Sequence, residues 1–113
     1  MLRLVVTDDA AAQVRAASEW WYENRPAAPG LFRAELTRAF ELIASHPTAG
    51  ARATNTDLPG VRRVLLRRVS YFLYYRISPE PMAGEPPSGD AGPEATVEVL
   101  GLWHTSRGSD PAL

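Results

Sequence analysis

The chain is expected to fold as a two-layer α+β domain in the order β-α-α-β-β-β, an antiparallel-rich sheet with a helical hairpin packed on one face. Three observations predict it. Two segments within the first 45 residues carry apolar side chains at helical spacing, two short runs rich in β-branched and aromatic residues occupy 61–77, and another such run fills 95–103. Helices gathered in front of strands, rather than alternating with them, point to α+β. At 113 residues the chain is long enough to bury roughly 65 % of its unfolded surface in one core. The expected organisation is a single domain over residues 1–107, with a flexible insertion at 78–94 and a frayed tail at 108–113.

Leu2 to Val6 predicts a short strand. Thr7 and Asp8 suit the cap of a following helix, and Asp9 suits the positive end of its dipole. Ala10, Val14, Ala17 and Trp21 then make one apolar stripe, and Asn24-Arg25-Pro26 ends the helix because the residue before proline is pushed out of the α region. Pro29 suits the first turn of a second helix. Its apolar face is Phe32, Leu36, Ala39, Phe40 and Ile43, with Arg33, Glu35, Arg38 and Glu41 facing outward, and Pro47 and Gly50 stop it. Residues 51–60 are expected to be loop. Two strands follow with a tight reversal near Val69-Ser70. Residues 78–94 are nearly all proline, glycine, small and acidic residues, a composition that favours no packed structure. Val97, Val99 and Gly101 share one parity of the last strand and Glu98, Leu100 and Leu102 the other. That mixed pattern predicts a central strand covered on both faces.

The hydrophobic fraction (45 %) and charged fraction (22 %) are those of an ordinary globular protein and name no function. Absence of cysteine excludes a disulfide framework and thiolate metal sites and fits a reducing compartment. The acidic residues soon after the N-terminus do not suit a signal peptide, no apolar run suits a membrane span, and a cytoplasmic protein is expected. No cofactor or metal is expected: the two histidines are far apart, and no glycine-rich phosphate loop or nucleophile elbow is present. His46 follows a helix C-terminus, where a cation is favourable without further role.

Charge is more informative. The net value is −1, yet Arg52, Arg62, Arg63, Arg67, Arg68 and Arg76 face only Asp57 in the same stretch. Like charges on neighbouring strands repel, so this density suits a surface for an anionic partner. Lysine is absent, and arginine contacts phosphate or carboxylate in a planar, bidentate way. The abundance of Ala, Arg, Gly and Pro offers a plainer origin in base composition.

A set of landmarks runs through this frame: Trp20-Trp21-Tyr22-Glu23-Asn24-Arg25-Pro26, His46-Pro47-Thr48-Ala49-Gly50, Gly60-Val61-Arg62-Arg63, Tyr71-Phe72-Leu73-Tyr74-Tyr75-Arg76 and His104-Thr105-Ser106-Arg107. In this order and at this length the chain resembles the RelE/ParE superfamily, the toxins of type II toxin–antitoxin pairs. The resemblance spans nearly all residues outside 78–94. It departs from the family at that segment, where a tight hairpin is usual, and in lacking the lysines of the ribonuclease members.

The resemblance implies a fold that agrees with the element order, and two possible activities. Its proportions lean toward the ParE-like members, which bind and poison DNA gyrase, serve in plasmid stabilisation and have no catalytic residues. In that case Arg62, Arg63, Arg67, Arg68, Arg76, Arg107 and Trp20 are binding residues for target or antitoxin, and the chain forms a toxin–antitoxin hetero-oligomer. The alternative is a RelE-like endonuclease acting on ribosome-bound mRNA. Cleavage by a ribose 2′-hydroxyl needs a base and positive charge for the developing phosphorane. His104 would be the base, Arg62, Arg76 and Arg107 the phosphate ligands, and Tyr71, Tyr74 or Tyr75 a stacking surface. The plainer readings stay open beside these: half-buried strand tyrosines, a histidine closing a strand, a tryptophan lying over the helical hairpin. A degenerate, antitoxin-binding member is a further possibility.

Overall fold

Thr7 sits in extended backbone (φ −66°, ψ 160°) and its Oγ1 accepts the Ala10 N–H at 3.2 Å. Strand β1 (Arg3–Val6) therefore passes directly into helix α1 (Asp8–Asn24). The computed structural model describes residues 1–78 and 95–106. The tail with Arg107, and the expected insertion apart from Ser78, lie outside the described residues. Ala10, Ala17 and Trp21 are buried and Val14 packs against them, as the stripe predicts. The Trp21 indole N–H donates to the Ala28 carbonyl at 2.7 Å and pins the connection to the next helix.

Helix α2 spans Leu31–Ser45 and starts two residues later than Pro29 suggests. The Leu31 N–H bonds the Ala28 carbonyl at 3.2 Å, which makes 28–31 a turn with Pro29 second in it. Proline's fixed φ serves that position as well as a first helical turn. Phe32, Leu36, Ala39 and Ile43 are buried. Glu35, expected outward, is instead half-buried and bonds the turn between two strands.

The remaining strands are β2 (Ala51–Arg52), β3 (Arg62–Leu66), β4 (Tyr71–Ser78) and β5 (Thr96–His104). They form one sheet in the order β1-β5-β4-β3-β2, antiparallel except for the β1–β5 pair. The expected order holds, with β2 added inside what the sequence suggests is loop. Two residues are too short to carry an alternating signal; β2 pairs with Arg62 and Arg63 of β3, and the Arg62 guanidinium also donates to the Gly50 carbonyl beside it at 2.8 Å.

Strand β5 is an interior strand with no exposed residue, as expected, and a bulge adds to its mixed pattern. Tyr74 pairs with Gly101 and Tyr75 with Val99, leaving Leu100 as an extra residue in a bulge. The bulge switches parity, so Val97, Val99 and Leu102 all join the core under the helices. A ladder broken there leaves the Leu102 N–H to another acceptor, and Gln13 Oε1 from α1 takes it at 2.8 Å.

Paired residues share a face of a sheet. Leu66, Leu73, Tyr75, Val97 and Val99 face the helices in the core. Arg63, Leu65, Phe72, Tyr74, Arg76 and Glu98 therefore belong to the opposite face. There Tyr74 is 1 % exposed, its hydroxyl accepting from Asn55 Nδ2 at 3.0 Å in the 53–60 loop.

Candidate partner-binding surface

The arginine-rich strands do not present one surface. Arg62 directs Nη1 to the carbonyls of Gly50 (2.8 Å) and Thr48 (3.4 Å), tying the α2–β2 connection to β3. Arg63 lies over the Phe72 ring at 4.1 Å on the helix-free face. On that face Arg76 Nε pairs with Glu98 Oε1 at 2.7 Å. Arg67 and Arg68 occupy the exposed β3–β4 turn, and among the described residues neither guanidinium has a hydrogen-bond or ion-pair partner.

The turn itself is firmly held. The Leu66 carbonyl accepts from Val69 (3.2 Å) and Ser70 (2.8 Å), and Ser70 takes a left-handed φ of 61°. Glu35 Oε1 accepts the Arg68 N–H at 3.1 Å, and the Ser70 carbonyl accepts the Thr105 N–H at 2.9 Å. These bonds anchor the turn to α2 on one side and to the end of β5 on the other.

A hollow lies on each side of it. The first, of about 310 Å³, runs between α2 and β3 past Arg38, Leu42, Leu65, Arg67 and Arg68. Leu42 is 43 % and Leu65 45 % exposed. Strand β2 pairs only with Arg62 and Arg63, so β3 becomes an edge strand from Val64 onward. The second hollow, of about 340 Å³, lies between the end of α1 and the turn. It gathers Trp20, Trp21, Arg25, Arg68, Ser70 and His104. Arg25 lies 5.6 Å from the Trp20 ring centre and 5.9 Å from that of Trp21.

His104 packs edge-on against Tyr71, with ring centres 4.9 Å apart. Its Nδ1 accepts the Ser106 N–H at 3.1 Å, with Ser106 Oγ at 2.6 Å. That bond puts the proton of a neutral ring on Nε2, which makes Nε2 a donor. His104 pairs with Tyr71, whereas Arg62 pairs with Tyr75, four residues or about 13 Å along β4. Arg76 lies one residue further and is already paired. The structure thus gathers Trp20, Arg68 and His104 at one end of the sheet and leaves Arg62, Arg63 and Arg76 toward the other. Arg107 lies outside the described residues.

No motif in the local sequence marks Leu42, Leu65, Arg25 or Glu35 as a surface residue of these hollows. The apolar periodicity of α2 accounts for its core face and leaves Leu42 off it. That leftover leucine was the available signal. Arg25 follows Trp21 by four residues, a spacing that brings side chains together at a helix end.

Among the described residues, no helix is long and apolar enough to cross a membrane, and no group of His, Asp and Glu could hold a metal ion. No curated protein sequence matches the chain. Among solved structures, one from the chromosomal ParDE toxin–antitoxin system of P. aeruginosa superimposes with a TM-score of 0.63 at 18 % identity. The match covers 94 % of this chain and 98 % of that one, which bears out the fold expected from the sequence. The family described as the ParE toxin of the type II toxin–antitoxin system, parDE, matches residues 4–108. With that match over nearly its whole length, the chain belongs to the ParE toxin family of type II toxin–antitoxin systems.

Proposed function

We propose that this chain is a cytoplasmic toxin that arrests growth by binding DNA gyrase and is neutralised by a cognate antitoxin, with which it forms a hetero-oligomer. The observation that carries the antitoxin half is the hollow along α2 and β3. It combines the exposed Leu42, a β3 edge that has no strand partner from Val64 onward among the described residues, with exposed Leu65 on the far side of that edge, and three arginines, Arg38, Arg67 and Arg68. An antitoxin tail that folds on binding meets such a surface by adding a strand or laying an apolar face into the groove, with acids toward the arginines.

Gyrase as the target rests on membership of the family. The scattering of the candidate nuclease residues supports it, since general base and phosphate ligands must meet around one phosphate. Here His104 and Arg62 stand at different levels of the sheet, and Nε2 of His104 is a donor.

A supercoiling assay tests the target. Purified chain at a few-fold excess should abolish ATP-dependent supercoiling by gyrase, and added antitoxin should restore it. Undiminished supercoiling, together with new codon-phased mRNA ends in induced cells, would replace gyrase by the ribosome-dependent nuclease. Leu42→Asp with Leu65→Asp should leave the gyrase effect intact and weaken antitoxin binding by at least roughly tenfold, the loss typical of buried interface anchors. Unaltered antitoxin affinity in that variant would move the antitoxin off this groove.

A further inference from the structure

We propose that the second hollow, between the end of α1 and the 67–70 turn, is a docking site for an acidic peptide segment carrying one aromatic anchor, on a partner other than the antitoxin. It shares only Arg68 with the α2–β3 groove. The inference goes beyond the toxin–antitoxin reading and does not depend on it.

The lining fixes the chemistry. Trp21 and Val69 are buried at 8 % and 3 % exposure and give an apolar bottom, where the Trp21 indole N–H is already bonded to Ala28. Trp20, 48 % exposed, offers open ring surface beside it. Arg25, Arg68, Ser70 and His104 bring donors, and among the described residues no carboxylate lines the hollow. An apolar side chain is therefore welcome in the middle and negative charge around it.

The donors are largely pre-positioned. Arg25 rests against both indoles, Glu35 holds the backbone of Arg68, Ser70 is fixed in a left-handed turn, and the Ser106 N–H leaves His104 with a donor at Nε2. Groups ordered in advance lose less freedom when a partner arrives. Tryptophan, tyrosine and arginine are also the residues in which interface binding energy concentrates. A volume of about 340 Å³ stands at the small end of ligand-sized hollows and suits one anchor side chain. The net charge of −1 gives the chain no general attraction to a polyanion, so these local cations favour a short acidic peptide over nucleic acid.

The test is a 1H–15N NMR titration of the full chain with three probes. They are the acetylated and amidated peptide Asp-Glu-Phe-Glu-Asp, its neutral counterpart Asn-Gln-Phe-Gln-Asn, and AMP. The acidic peptide should shift the Trp20 and Trp21 indole signals and the amides of Arg68 and Ser70, with the neutral one roughly tenfold weaker, as expected when charge complementarity steers binding. Arg25→Ala with Arg68→Ala should erase that difference. Trp20→Ala, at an exposed position, should weaken both peptides, and Leu42→Asp in the other groove should change neither. Equal affinity for the two peptides would overturn the proposal, as would shifts centred on Leu42 and Leu65, tighter binding of AMP, or no shift at millimolar peptide. Failure of the gyrase or antitoxin reading would leave these shifts in place, and their absence would leave antitoxin binding untouched.

Discussion

Gly50 is a position where a single added methyl group would strike three atoms at once. A Cβ there would lie 2.6 Å from the Tyr75 hydroxyl, 2.9 Å from its ring and 2.8 Å from the Arg63 carbonyl oxygen. Tyr75 comes so close because its hydroxyl accepts the Gly50 N–H at 2.9 Å and donates to the Pro47 carbonyl at 2.7 Å. Gly50→Ala should therefore destabilise the fold by about 1–3 kcal/mol through overpacking, read as a lowered urea midpoint. Tyr75→Phe should cost about 1–3 kcal/mol as well, by stranding the buried Gly50 N–H and the partly buried Pro47 carbonyl. The pH dependence separates the two. Burial pushes the Tyr75 hydroxyl above the ordinary tyrosine value of 10.0, outweighing the opposing effects of the Gly50 bond and the Arg62 charge. The folded state thus keeps this proton when the unfolded chain begins to lose it. Its stabilising effect is complete below the unfolded value and is lost as pH rises through the folded one. Wild type should lose stability above pH 10 more steeply than Tyr75→Phe, and parallel pH profiles would refute the assignment. The His46-to-Gly50 landmark was legible as a helix stop. Its contact with Tyr75, 25 positions away, was not, because local sequence carries no record of which side chain closes over a turn.

Among the elements, those with long one-sided patterns were legible and those shaped by a single break were not. Helix α1 starts at its capping threonine and ends before Pro26, and its stripe is buried as spaced. Strand β5 is interior and has no exposed residue on either face, as its mixed pattern suggests, but the bulge at Leu100 that helps place apolar residues on both parities was not legible. The break is secured from outside the strand, by Gln13 of α1 accepting the Leu102 N–H. Gln13→Leu keeps the helix propensity and the bulk but removes the acceptor. It should destabilise by about 1–3 kcal/mol and speed amide exchange at Leu102 more than elsewhere in β5. Uniformly unchanged exchange would mean the bulge is held by the strand itself. The helix-hairpin connection shows the same limit in milder form. Pro29 fits two positions equally, and only the Leu31–Ala28 bond decides for the turn.

At the scale of the whole molecule, the sequence cluster of arginines becomes three separate groups. Arg62 closes the α2–β2 connection, Arg63 and Arg76 settle on Phe72 and Glu98 across the helix-free face, and Arg67 and Arg68 stand at the turn between the two hollows. Proximity in sequence suggested one cationic surface, but alternation along a strand sends neighbours such as Arg62 and Arg63 to opposite faces. The groups should separate in experiment. Arg67→Ala with Arg68→Ala should slow antitoxin association by on the order of tenfold, flatten its salt dependence and leave the melting temperature nearly unchanged, as rim charges do. Arg62→Ala should instead lower the melting temperature by several degrees, corresponding to about 1 kcal/mol for a domain of this size, with the folded fraction binding antitoxin normally. Arg76→Ala should do less, since its partly exposed pair with Glu98 is worth about 0–1 kcal/mol. Stopped-flow association across a salt series, run beside thermal melts, reads both quantities on each variant. If Arg62→Ala slowed association at an unchanged melting temperature, its guanidinium would have to leave the Gly50 carbonyl for the partner. The scattered arginines would then act as one surface only in the complex.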